Sequence, residues 1–263
     1  MYNAAIMPTS TPIPLLVIAG PTATGKTAAA VEVATQVPAE IISADSMQIY
    51  RELDVGTAKP TVEERRRAAF HLVDIVPPEA RYTVADFQRD AEAAIADVWA
   101  RGRLPILCGG TGLYVRAVLG GLSFPPGALP ETTALRERLQ AEAQTLGGAA
   151  LHARLARLDP VTAARLPVGD TRRVIRALEV CEYTGRPFSE VARVDEGRKL
   201  LYNAATFVLT CPRPMLYERI ERRVDAMLAA GWVEEVVRLR ERGLTREHQC
   251  LQAIGYRHLM AML

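Results

Sequence analysis

The sequence is short of the features that place a protein quickly. Its four cysteines, Cys108, Cys181, Cys211 and Cys250, form no Cys-x-x-Cys pair, which excludes a zinc finger and argues against a disulfide scaffold. The apolar run Pro14–Ala19 falls far short of the roughly 20 residues that a membrane span needs. No Lys or Arg precedes Lys26, so the N-terminus does not read as a secretory signal, and the expected location is cytoplasmic. Charge of one sign is scarce as well. The 32 basic and 30 acidic side chains leave a net charge of +2, too weak to announce a nucleic-acid binder. No Asn-Lys-x-Asp sequence occurs, which disfavours a guanine-specific switch.

What is present is ordinary globular material. With 49% hydrophobic and 24% charged residues, the chain is not intrinsically disordered. Its 263 residues suit one large domain, or a core carrying a smaller insertion. Residues 1–119 carry 11 basic and 13 acidic side chains, residues 120–200 carry 12 and 10, and residues 201–263 carry 9 and 7. A polyanionic partner is therefore expected against the second half, although a solvated mixed surface accounts for the same counts.

The apolar run ending at Ala19 reads as a strand buried on both faces. Thr27–Gln36 reads as a helix, Glu40–Ala44 as a second strand, Phe70–Val76 as a third and Val84–Arg101 as an amphipathic helix. Leu104–Cys108 and Thr206–Thr210 read as further strands, with a helix following from Pro214 to Ala230. Alternating strands and helices predict an α/β fold with a doubly wound parallel sheet. Between the last two strands only helices are expected: Thr132–Ala143, Ala149–Arg157 and Thr171–Thr184. Gly120-Gly121 and Pro125-Pro126 punctuate the exit from the core. The expected organisation is a core over 1–120 and 201–263 with a helical insertion over 121–200, and a frayed lead-in over residues 1–13. His71, His152 and His258 lack metal-like spacing and read as structural or surface histidines.

Gly20-Pro-Thr-Ala-Thr-Gly-Lys-Thr27 fits G-x-x-x-x-G-K-[ST] between a strand and a helix. Gly20, Thr22, Ala23, Thr24 and Gly25 would wrap an anion in backbone N–H groups, helped by the helix N-terminus. Lys26 would neutralise phosphate oxygens, and Thr27 would place its hydroxyl on Mg²⁺. The motif indicates a di- or triphosphate, not its fate. Asp45 and Asp74, each on an apolar strand, are candidate partner carboxylates. Gly20, Asp45 and Gly109 each follow a strand, where open α/β sheets bind ligands. Asp45 thus suits a general base or hydrogen-bond acceptor, and the glycines around Thr111 suit close approach by a ligand. Equally, Asp45 fits a helix N-cap and the glycines fit a turn.

Together these segments resemble the tRNA dimethylallyltransferase family, also called tRNA isopentenyltransferases. The resemblance rests on the phosphate loop, Ile42-Ser-Ala-Asp-Ser-Met-Gln-Ile-Tyr50, Asp54-Val-Gly-Thr-Ala-Lys-Pro60 and Pro105-Ile-Leu-Cys-Gly-Gly-Thr-Gly-Leu-Tyr114. It continues through Leu158-Asp-Pro-Val-Thr-Ala-Ala-Arg165, Arg172-Arg-Val-Ile-Arg-Ala-Leu-Glu-Val180, Arg223-Val-Asp-Ala-Met-Leu228 and Gln252-Ala-Ile-Gly-Tyr-Arg257. The family implies a P-loop NTPase-like core with a tRNA-contacting insertion. It implies transfer of a dimethylallyl group from dimethylallyl diphosphate to N6 of the adenosine 3′-adjacent to the anticodon, in tRNAs reading U-starting codons. The loop then holds a leaving diphosphate.

The resemblance also assigns roles. Asp45, Thr111 and Arg223 would be catalytic, with Arg223 joining the loop around the diphosphate. Asp45, Ser46, Met47, Gln48, Thr111, Arg136, Arg172, Arg173, Arg176, Gln252, Gly255, Tyr256 and Arg257 would contact the tRNA anticodon stem-loop. For Arg172, Arg173 and Arg176, pairing with Glu179 or Glu182 on the helix surface is the competing reading. The implied cofactor is Mg²⁺, and the expected state is a monomer away from membranes. Family members continue past the Gly-Tyr-Arg segment into a basic helical tail that adds RNA affinity, whereas this sequence ends at Leu263. Two other readings share the motifs: a P-loop kinase of a small metabolite, and a non-catalytic RNA-binding protein.

Overall fold

The computed structural model describes residues 12–120, 130–191 and 202–263. The expected lead-in before residue 12, the Gly121 and Pro125-Pro126 punctuation and the end of the insertion at residue 200 lie outside the described residues. The chain divides into two compact units, one formed by Met1–Leu119 with Lys199–Leu263 and the other by Gly120–Arg198.

In chain order the first unit contains β1 (Ile13–Ala19), α1 (Lys26–Gln36), β2 (Ala39–Ser43), α2 (Val62–Arg67), β3 (Phe70–His71), α3 (Val84–Ala100), β4 (Leu104–Gly109) and α4 (Gly112–Gly120). The second unit contributes α5 (Pro130–Leu146), α6 (Gly148–Leu158), α7 (Pro160–Arg165), α8 (Thr171–Thr184) and α9 (Phe188–Val191). The chain then returns through β5 (Tyr202–Val208), α10 (Arg213–Ala229), α11 (Trp232–Glu241) and α12 (Tyr256–Met262).

The strands form one parallel sheet in the order β3-β2-β4-β1-β5. Alternation along each strand sends neighbouring side chains to opposite faces. Val17, Ile42 and Leu107 join a core with Phe87, Ala91, Ile95 and Val98 of α3. Ile18, Ile41 and Ile106 join Ala30 and Val31 of α1 on the other face. Burial on both faces accounts for the Ile41-Ile42 centre of β2 and the apolar residues of β4. Helix α3 starts on a capping box, with Thr83 and Asp86 each accepting from the other's backbone N–H. In the second unit, α5, α6 and α8 bury Leu139, Leu151, Leu155, Val174, Leu178 and Cys181 together.

The third expected strand is much shorter than the sequence suggests. Only Phe70–His71 pairs with β2. Leu72 and Asp74 take φ of 60°, which turns the chain off the sheet. Asp74 N then donates to Gln48 O (3.1 Å) and Ile75 N to Ile49 O (2.9 Å). The segment braces the loop after β2 instead of extending the sheet.

At the amino end of β2, Glu40 is 4% exposed. It accepts from Arg101 Nη2 (2.8 Å) and from Arg101 Nη1, and meets His71 Nε2 at 2.7 Å and Arg103 Nε at 3.3 Å. The Arg101 hydrogen bonds hold its carboxyl down to about 2, against burial, which pushes the other way. A depressed carboxylate contributes stability above its unfolded value and loses it as pH falls toward the folded value. Glu40→Gln should therefore cost about 2–3 kcal/mol at neutral pH. In denaturant melts, the gap from wild type should shrink as pH drops from about 5 toward about 2.

Candidate active site

The sheet register sets the ends of three strands level. Ala19 pairs with Gly109 and Ser43 with Cys108, so the segments after β1, β2 and β4 emerge side by side. Gly109 permits this approach, since a Cβ there would lie 2.2 Å from Ala44 O. Ala44 N donates to Cys108 O (2.8 Å) and Thr111 N to Ala44 O (3.2 Å), locking the two exits together.

These exits line a cavity of about 570 Å³. Thr22, Lys26 and Thr27 come from the phosphate loop, and Asp45, Ser46, Met47 and Gln48 from the turn after β2. Thr111 follows β4, Arg223 lies on α10, and Gln252 precedes α12. Ile220, Val224, Met227 and Trp232 supply an apolar wall. Nine-tenths of the Trp232 residue is buried, and its Nε1 has no hydrogen-bond partner among the described residues.

Helix α1 begins at Gly25 (φ 87°) without a side-chain cap, which leaves its first-turn N–H groups for an anion. Lys26 Nζ donates to Pro21 O (2.6 Å) across the loop. Burial pulls the Lys26 ammonium below its ordinary value, and attraction to the Asp45 carboxylate opposes that pull. Arg223 is half-buried, with no ion pair or hydrogen bond among the described residues. Burial lowers its guanidinium too, and Asp45 works in the opposite direction. Two partly desolvated cations thus face one carboxylate and have capacity left for a further anion. Burial pushes the neighbouring Cys108 thiol up to about 11, which leaves it protonated at neutral pH and a poor nucleophile.

Asp45 caps a turn and not a helix. Its Oδ1 accepts from Met47 N (2.9 Å) and Gln48 N (3.4 Å), capping the turn. Its Oδ2 makes no hydrogen bond among the described residues and is available to a ligand. Thr111 Oγ1 accepts from Ser46 N (3.1 Å), so the threonine holds the turn that carries Asp45 and keeps its own hydroxyl proton to donate. Asp74, the other candidate carboxylate, is engaged by Lys59 and by Arg65 (2.7 Å) and does not line the cavity. For a cation, the Thr27 hydroxyl and the Asp45 carboxylate are hard oxygen donors of the kind Mg²⁺ takes beside phosphate oxygens. Among the described residues no group of three or more His, Cys, Asp or Glu gathers as a cage, so substrate oxygens would complete such a site.

The other expected residues lie elsewhere. Gly20, Ala23, Thr24 and Gly25 shape the loop without lining the cavity. Arg257 is exposed. Tyr256 is corrected from a contact residue to a support, and Gly255 lies against the Trp232 indole, where a Cβ would come within 2.0 Å of the ring. Tyr256 is fully buried, stacks edge-on to Trp232 (5.6 Å, 74°) and donates its hydroxyl to Glu235. In the second unit, Arg136 and Arg176 are held by the buried Glu179 at 2.8 to 3.0 Å, and Arg173 meets Asp170 at 3.2 Å. Arg172 is exposed and has no partner among the described residues. Sequence reasoning missed Trp232, Gly56 and Glu235, whose partners are remote in the chain. No helix among the described residues is long and apolar enough to cross a membrane.

Comparison with known proteins agrees with this arrangement. The IPP transferase family model matches residues 48–263, and the isopentenyl transferase model matches residues 13–70. A tRNA dimethylallyltransferase of Roseiflexus sp. (strain RS-1) is 51% identical over 246 residues, covering 93% of this chain and 79% of the relative. That of Thermomicrobium roseum is 47% identical over 251 residues, covering 95% and 74%. Among solved structures, the tRNA isopentenylpyrophosphate transferase of Bacillus halodurans is 43% identical, with a TM-score of 0.63 over 94% of this chain and 76% of that one. A eukaryotic dimethylallyltransferase acting on tRNA is 26% identical, with a TM-score of 0.81 over 95% of this chain and 63% of that one. These matches span nearly the whole chain, and the chain belongs to the tRNA dimethylallyltransferases.

Proposed function

We propose that the chain transfers a dimethylallyl group from dimethylallyl diphosphate to N6 of the adenosine 3′-adjacent to the anticodon, in tRNAs reading U-starting codons, and releases diphosphate. One observation carries the reading. An anion loop, an unpaired arginine, a carboxylate with an uncommitted oxygen and an apolar wall meet in a single cavity. A metabolite kinase would use the same loop, but the wall of Ile220, Val224, Met227 and Trp232 suits a five-carbon chain better than a polar phosphate acceptor.

In the transfer, the adenine N6 attacks C1 of the allyl group while the C1–O bond breaks and its electron pair leaves with diphosphate. The α1 N-terminal amides, Lys26 and Arg223 stabilise the charge that grows on the leaving group. Asp45 Oδ2 accepts the proton from N6, and Thr111 holds the turn that aims it. Mg²⁺ is the proposed cofactor; Thr27 would hold it, and it would supply charge neutralisation to the diphosphate. The base reaches the cavity by extrusion from its stack, which a flexible anticodon loop makes cheaper than a duplex does. Arg172, exposed and without a partner among the described residues, is the proposed phosphate contact of the insertion.

Protein incubated with labelled dimethylallyl diphosphate, Mg²⁺ and unmodified tRNA should place label in the tRNA, whereas ATP consumption without label transfer would instead identify a kinase. Asp45→Ala should lower turnover about 10²- to 10⁴-fold; a near wild-type rate would remove Asp45 from the proton transfer. Arg172→Ala should weaken tRNA binding, more so at low salt, and should reduce the salt slope by about one. An unchanged slope would return Arg172 to the solvated surface.

A further inference from the structure

Glu235 on α11 is a carboxylate buried to 1% exposure that forms no ion pair among the described residues. Backbone N–H groups and one phenol satisfy it instead. Its Oε2 accepts from Asp54 N and Val55 N, both at 2.8 Å, and its Oε1 from Gly56 N (3.3 Å) and the Tyr256 hydroxyl. Three consecutive amides of one loop thus converge on a side chain about 180 positions away. The same loop is pressed against α11 at Gly56, where a Cβ would lie 1.9 Å from Trp232 Nε1 and 2.6 Å from Tyr256 Cε2.

The clamped loop leads into the cavity. Gly56, Thr57 and Ala58 line it. Gln48 Nε2 donates to Thr57 O (3.3 Å) and Ala58 O (3.0 Å), and Gln48 Oε1 accepts from Ser43 Oγ (3.0 Å). The loop carbonyls therefore dictate how the Gln48 amide faces the cavity, next to the Asp45 turn. Lys59 closes the other end of the loop through Tyr50 O and Asp54 Oδ1, both at 2.6 Å. Neither Glu235 nor the loop it holds belongs to the phosphate loop or to α10, where the diphosphate groups sit.

We infer that Glu235 is a positioning residue for the acceptor side of the transfer. It fixes the Asp54–Gly56 amides so that the loop orients Gln48 toward the incoming base, and it takes no part in holding the diphosphate. This rests on the prenyl-transfer reading above. A group that must be placed within a fraction of an ångström loses rate steeply when its support loosens.

The test is steady-state kinetics of the full chain with tRNA and dimethylallyl diphosphate. Glu235→Gln keeps the volume but turns an NH₂ toward one set of donors. It should lower kcat about 10- to 100-fold and raise the KM for tRNA. The KM for dimethylallyl diphosphate and the Kd of inorganic diphosphate should stay within about twofold of wild type, because Lys26, Thr27 and Arg223 are untouched. Because the effect passes through Gln48, adding Gln48→Ala to Glu235→Gln should cost little more than Gln48→Ala alone. Wild-type kinetics in Glu235→Gln, an equal loss of diphosphate affinity, or full multiplication of the two effects would each overturn the assignment. Should Glu235→Gln not fold, Tyr256→Phe removes one donor and spares the carboxylate. Its cycle with Gln48→Ala should be sub-multiplicative, and independence there overturns the proposal. Wild-type protein that transfers no label would overturn both readings, whereas active wild type with an equally active Glu235→Gln overturns this one alone.

Discussion

The site depends on the register of a parallel sheet. Pairing Ala19 with Gly109 and Ser43 with Cys108 brings the ends of β1, β2 and β4 to one height. Each exit then delivers a different group: amides and an ammonium after β1, a carboxylate after β2, a threonine hydroxyl after β4. The contact that permits this is backbone on backbone, Gly109 against Ala44. A side chain at that point would separate the carboxylate turn from the threonine that braces it. Catalytic geometry in this fold is therefore a property of strand ends, and the side chains inherit it.

Carboxylates drawn in from the surface are satisfied in two ways. Glu40 sits at the amino end of its strand among Arg101, Arg103 and His71, and Glu179 gathers Arg136 and Arg176 within the second unit. Both are paired with cations. Asp45 and Glu235 are not. Asp45 spends one oxygen on turn amides and keeps the other, while Glu235 spends both on backbone N–H groups and a tyrosine hydroxyl. Asp159 in the second unit is satisfied in the same way, by the Thr162 and Ser189 amides and hydroxyls.

Much of this was legible in the residues. The apolar run into Gly20, the loop ending at Lys26 and Thr27, and Asp45 after a buried strand are local signals, and the structure places each between the elements expected for it. Helix α3 announced itself by the spacing of Phe87, Ala91, Ile95 and Val98. The strand at Phe70 was overextended because hydrophobicity carries no record of φ, and the turns at Leu72 and Asp74 are held by contacts with Gln48 and Ile49. Helix α4 was hidden behind glycines that read as a turn. Glu235 gave no signal, since a glutamate in Trp232–Glu241 looks like the charged face of a surface helix and its partners lie far away in sequence. Tyr256 was misplaced for the opposite reason, because the motif around it resembles a contact segment while its ring supports the wall from beneath.

Lys26 already gives a hydrogen bond to the Pro21 carbonyl of its own loop. That bond ties down the end of a four-carbon stem, so part of its torsional freedom is spent on folding. On the proposed function, an incoming phosphoryl oxygen would replace this neutral carbonyl partner with a charged one. Capture then becomes an exchange of acceptors, and the entropic toll on association falls accordingly.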